Sequence, residues 1–314
     1  MNTLFRFFAF CAMILLASCS TTEEIWINSD GTGRFAYHVD MSELYPFLMM
    51  GLQQELNPTA PPEEDGDGTL PPDSVIERDK AKDAVEQLLA KESLDTIIYV
   101  KPLVDQLLAK EGMTTDDLWQ KLRDEDNEDM TKAEKEKFIG AFQDMMGMDI
   151  RLQMNQQESK FIFTLGQAFD DPNEAFGFLG TLMELLEKTG QGGDAEKLAA
   201  VKDGLNSTTK YQLKGSSLNI SRKPTNLDAL QEEGGNEQMA MMQMFMGGSK
   251  YKMVIHLPGK VKSADFKGAE VDGQTVTIEM PLSDLYDEKG ALDFDIKFKP
   301  KKNITWSETK MPEN

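Results

Sequence analysis

Along several short stretches of the chain apolar and polar residues alternate with period two, and along others the apolar residues recur every three or four positions. Ile25 and Ile27, and then Phe35, Tyr37, Val39 and Met41, alternate with other residues on either side of Asn28-Ser29-Asp30-Gly31-Thr32-Gly33. This predicts a β-hairpin with one buried face, turning at Asp30-Gly31. A second hairpin is predicted from Leu152 and Met154 followed by Phe161, Phe163 and Leu165. A third carries Tyr211 and Leu213, then Leu218 and Ile220. The late segments 251–257, 276–280 and 292–298 give the cleanest alternation, and Ile97 to Val100 read as one short strand. The shared alternation of Phe35-Tyr37-Val39 and Leu292-Phe294-Ile296 predicts that early and late strands lie in one sheet over a common apolar face.

Helical spacing fills the intervals. Ser42 stands as an N-cap before Leu44, Phe47, Leu48 and Leu52, and Ala81 to Leu89 repeat at i, i+3 and i+4. Thr114-x-x-Asp117 opens a helix carrying Leu118, Trp119 and Leu122. Thr131-x-x-Glu134 is a capping box ahead of Phe138, Ala141, Phe142, Met145 and Met146. Asp171-Pro172 begins another helix, and a last one spans roughly 227–246. The order hairpin–helix recurs three times before the final strands. The predicted fold class is α+β: an antiparallel β-sheet built from hairpins, with helices packed on one face.

Residues 57–72 hold five of the 13 prolines and four acids with no Lys or Arg, so an acidic, extended loop is predicted there. The whole chain has 54 acidic against 33 basic residues among 314, a net charge of −21. Nucleic acid is excluded as a partner, since its binders need basic grooves. The 40% of hydrophobic residues is enough for a real core.

The N-terminus changes the picture most. Arg6 precedes ten continuously apolar residues, Phe7 to Leu16, too few to span a bilayer but suited to a secretory signal. The run ends in Leu16-Ala17-Ser18-Cys19, which resembles the bacterial lipobox. That resemblance implies cleavage between Ser18 and Cys19 and a diacylglycerol and further acyl chain (palmitate or similar) on Cys19, a stable membrane anchor. Ser20, where an Asp would retain the protein in the inner membrane, implies the outer membrane, and Glu23-Glu24 resembles the acidic export tag of Bacteroidota surface lipoproteins. The competing reading is an ordinary cleaved signal with a chance Cys. The expected organisation is a signal peptide over 1–18, a lipidated tether over 19–23, one α+β domain over 24–300 and a polar tail over 301–314. Cys11 leaves with the signal and Cys19 is acylated, so thiol chemistry and disulfides are excluded on this reading.

Candidate chemistry is sparse. His38 and His256 are the two histidines, each on the polar face of a predicted strand. If those strands pair, they form half of a metal site; otherwise they are solvated sheet residues. Asn28-x-Asp30-Gly31 and the acidic run from Asp124 lack the remaining spacing of calcium loops. Neither a nucleophile elbow nor a phosphate loop occurs. The 20 methionines are the unusual component. Met239, Met242, Phe245 and Met246 crowd one helix end, where they serve either as core or as an apolar-ligand surface, with soft-metal binding a third option that lacks His or Cys partners. Asp73-Ser74-Val75 and Asp95-Thr96-Ile97 are similar to the Bacteroidota O-glycosylation pattern, which makes Ser74 and Thr96 candidate acceptors.

Tyr251 to Ile278 resembles the LppM-type lipoprotein domain. The matching features are a strand, then Leu257-Pro258-Gly259-Lys260-Val261, then Val271-Asp272-Gly273-Gln274-Thr275-Val276-Thr277-Ile278. Lipobox, early hairpin, helical insertion and late strands come in the same order. The resemblance implies an exported, membrane-anchored α+β domain and transfers no catalytic residue. The expectation is a non-enzymatic cell-envelope lipoprotein that binds or scaffolds at the outer membrane, its partners being the membrane through its anchor and an apolar ligand or envelope protein, with no cofactor and no metal. The alternative is a carrier or sensor of an apolar ligand.

Overall fold

The computed structural model describes residues 20–45, 92–124, 131–173, 209–223, 249–286 and 291–302. Twelve strands and three α-helices are formed among them. Eight strands make one sheet in the order β10-β11-β8-β1-β2-β5-β4-β3: Glu270–Asp272, Thr275–Pro281, Lys250–His256, Ser20–Ile27, Gly33–Asp40, Lys160–Phe169, Met148–Asn155 and Ser93–Tyr99. Four make a second, β6-β7-β12-β9: Thr209–Lys214, Ser217–Arg222, Leu292–Pro300 and Gly259–Ala264.

The three predicted hairpins form as β1–β2, β4–β5 and β6–β7, all antiparallel. The first turn is fixed locally. Thr32 donates its backbone N–H and its hydroxyl to Asp30 Oδ1, and Gly31 takes φ 92°, which a side chain disfavours. Two of the predicted helix starts are also present. The Thr131 hydroxyl accepts from the Glu134 N–H while Glu134 Oε2 accepts from the Thr131 N–H, and Thr114 and Asp117 exchange bonds in the same way.

Several expectations are corrected. The sheet is not purely antiparallel, because β1 pairs in parallel with β8. Early and late strands do not all share one sheet. Phe35 to Val39 lie on β2 of the eight-stranded sheet, and Leu292 to Ile296 on β12 of the four-stranded one. The two sheets face each other instead, and Ile25, Ile27, Phe35, Tyr251, Met253 and Ile255 pack with Leu218, Ile220, Phe294 and Ile296 in one core. Alternation reports that a face is buried, not whether its partner lies beside it or opposite it.

Among the described residues the fold is dominated by its sheets, and the three helices do not pack clearly on one face. α1 (Val100–Lys110) and α3 (Lys132–Met146) add Val100, Val104, Ala141 and Met145 to a second cluster with Val39, Ile150, Phe163 and Leu165. α2 (Thr115–Asp124) buries Trp119, which meets Phe142 edge-on. α1 begins where a strand through Val100 is predicted; Pro102 is tolerated because it sits in the first helical turn. Ser42 lies inside a short 3-10 turn, Ser42–Leu44, and its hydroxyl accepts from the Phe161 N–H; the helix expected beyond it, through Phe47, Leu48 and Leu52, lies outside the described residues. β1 starts at Ser20, so residues 20–23, expected in a tether, are strand.

A buried carboxylate between two histidines

β1 carries two adjacent acids, and strand geometry sends them to opposite faces. Both are buried, Glu23 at 9% and Glu24 at 5% exposure. A buried carboxylate needs hydrogen-bond partners and compensating charge, and each has found a different set.

Glu23 faces the second sheet. Its Oε1 accepts from Arg222 Nη1 at 3.2 Å and its Oε2 from the Tyr251 hydroxyl at 2.5 Å. Arg222 also donates to the Tyr251 oxygen at 2.9 Å and lies over the Tyr251 ring. This triad pins β7 of one sheet to β1 and β8 of the other. Burial first, and then the charge of Glu23, push the Tyr251 phenol well up, so it stays protonated as a donor.

Glu24 faces away from that core. β2 and β8 flank β1 on opposite sides, bringing His38 and His256 to the two oxygens of one carboxylate. His256 Nε2 lies 2.7 Å from Oε1 and His38 Nε2 lies 3.1 Å from Oε2. The far nitrogens are held too: His38 Nδ1 by the Thr164 hydroxyl at 2.9 Å, and His256 Nδ1 by the Thr275 hydroxyl at 3.0 Å. Burial alone would raise the Glu24 pKa. The hydrogen bonds and charges of His256 and then His38 outweigh it and hold the carboxyl at about 2.

An ionised carboxylate only accepts, so both Nε2 atoms donate. In a neutral imidazole Nδ1 then accepts and the threonine hydroxyl donates. Thr164, His38, Glu24, His256 and Thr275 thus form one continuous run of hydrogen bonds across β5, β2, β1, β8 and β11.

Neighbouring residues extend this polar face. Trp26 stacks on His256 with rings 5.2 Å apart and 9° from parallel. Its indole Nε1 is buried and finds no hydrogen-bond partner among the described residues. Arg34 of β2 reaches both oxygens of Asp149 on β4. That pair crosses β5 at Gly166, where a Cβ would overlap the guanidinium.

His38 and His256 thus meet, as the alternation allowed, but through an acid on the strand between them rather than by pairing of their own strands. They approach from opposite sides, and no group of three or more His, Cys, Asp or Glu among the described residues is arranged to hold a metal ion. Sequence reasoning missed Glu24 by reading Glu23-Glu24 as an exposed tag. The available signal was two acids running directly into Ile25-Trp26-Ile27 in one strand. Thr96 is half-buried on β3 opposite Leu152. Ser18, Cys19, Ser74, Met239, Met242, Phe245 and Met246 lie outside the described residues, as does the 57–72 loop. Among the described residues no helix is long and apolar enough to cross a membrane.

No family model matches the chain, and no curated protein matches it. Among solved structures it is similar to the NMR structure of the folded domain of the Mycobacterium tuberculosis LppM protein. The identity is 7% over 90% of this chain and 91% of that one, with a TM-score of 0.29.

Proposed function

We propose that the chain is a cell-envelope lipoprotein, anchored in the outer membrane through acylated Cys19, whose two-sheet domain binds or scaffolds rather than catalyses. The observation that carries the reading is Leu16-Ala17-Ser18-Cys19 at the end of an apolar signal, directly ahead of β1. The non-enzymatic part is supported by the groups with catalytic potential being bonded to one another. Both histidines are tied to Glu24 and to threonine hydroxyls, and Glu23 is tied to Arg222 and Tyr251.

The test is Cys19→Ala, followed by fractionation and intact-mass measurement. The native chain should sediment with outer membrane and carry the added mass of acyl groups. The variant should lose both. A variant that keeps its membrane association and its mass would overturn the reading.

A further inference from the structure

We propose that the end of the eight-stranded sheet at which β1 begins rests directly on the lipid surface, so that the anchor sets the orientation of the domain as well as its location. This rests on the anchor reading above. Ser20 is joined to Cys19 by one peptide bond and is already paired on both sides, with Asp40 on β2 and Lys250 on β8. Its strand is interior, with β10, β11 and β8 on one side and β2, β5, β4 and β3 on the other. Slack between lipid and sheet is therefore a single residue, about 3.5 Å of chain. A flexible tether of several residues would let the domain tumble; a strand locked from its first residue does not.

Register names the residues brought to the surface. Asp40 and Lys250 flank Ser20; Ile162 lies beyond Asp40 and Pro281 beyond Lys250. Lys250 is exposed and bonded to Glu279 at 2.6 Å. The described residues of this edge carry both signs of charge, which suits contact with polar headgroups rather than insertion among acyl chains. The turn between Asp272 and Thr275 lies at the opposite end. Six residue steps along β8 separate Lys250 from His256, the partner of Thr275, which amounts to roughly 20 Å.

The full lipidated protein supplies the experiment, because an introduced cysteine is then its one unblocked thiol. Lys250→Cys and Asp272→Cys are each labelled with a small fluorophore. They are reconstituted in phosphatidylethanolamine–phosphatidylglycerol vesicles containing lipid with a nitroxide on its headgroup. Quenching should be several-fold stronger at 250 than at 272. Inserting about eight Gly and Ser residues between Cys19 and Ser20 should preserve flotation with vesicles and remove the difference. Equal quenching at both positions in a protein that floats would overturn the orientation while leaving the anchor standing. A difference that survives the linker would also overturn it, since something else would then orient the domain. A protein that does not float with vesicles at all would remove the anchor reading and this inference together.

Discussion

Glu24→Gln isolates the charge between the two histidines. The carboxyl is held at about 2 against an ordinary 4.5. Each unit of pKa difference between folded and unfolded chains is worth about 1.4 kcal/mol. The ionised carboxylate thus contributes roughly 3 kcal/mol of stability. An acid made stronger by folding stabilises in its ionised form. The contribution is complete above pH 4.5 and is lost as pH falls toward 2. Gln keeps the shape: its amide oxygen accepts from one imidazole, and its amide N–H donates to the other. That second ring moves its proton to Nδ1 and donates to its threonine. What disappears is the charge and its acid limb. Urea unfolding of both proteins, followed by tryptophan fluorescence from pH 2 to 8, reads the difference directly. The gap should be about 3 kcal/mol above pH 5 and should shrink toward zero at pH 2. A gap of constant size across that range, or none at neutral pH, would refute the assignment of Glu24 as a charge held by its two histidines.

Arg222→Met should cost about 3–5 kcal/mol, because it leaves the Glu23 charge buried with only the Tyr251 hydroxyl. Adding Glu23→Leu should recover much of the loss, and a double variant as unstable as the two single losses added together would refute the coupling. Gly166→Ala should cost about 1–3 kcal/mol by displacing the Arg34–Asp149 pair that lies over it; in an Arg34→Ala background the same change should be nearly neutral, as urea titration would show. Thr131→Ala should cost about 1 kcal/mol and increase hydrogen exchange in the first turn of α3 before anywhere else, since it removes one half of the capping box.

Much of the fold was legible because side-chain alternation is a direct image of a strand with one dry face. β2, β4, β5, β6, β7, β8, β11 and β12 all carry it. β9 escaped because one of its inward positions is Gly259, which has no side chain to register in the pattern. β10 escaped because its three residues are all exposed. α1 was hidden by Pro102 and by burying only Val100 and Val104. The parallel β1–β8 pairing was not legible, since alternation fixes which face is covered and leaves the neighbour open. At the site, both histidines were correctly placed on the polar faces of their strands. The acid between them was not, because an acidic pair near an expected signal cleavage site reads as surface until the strand is known to begin ahead of it.

β1 joins these observations. It carries an acid to each face of the sheet, and neither acid is compensated by nearby sequence alone. Glu23 takes its bonds from Arg222 and Tyr251, 199 and 228 residues away. Glu24 takes one from His38, 14 residues away, and its shorter one from His256, 232 residues away. The local β1–β2 hairpin can form early, but alone it leaves Glu23 facing no cation and Glu24 with half its partners. Burying either acid before these partners arrive would cost several kcal/mol, more than a two-stranded hairpin gains. β1 therefore settles at the centre of its sheet only when β7 and β8 are in place, through contacts of very long sequence separation that form slowly. Ser20 becomes fixed next to Cys19 at that point and not before. The orientation proposed at the lipid surface is thus a property of the completed two-sheet fold, and substitutions at Arg222 or His256, far from the anchor in sequence, should loosen it.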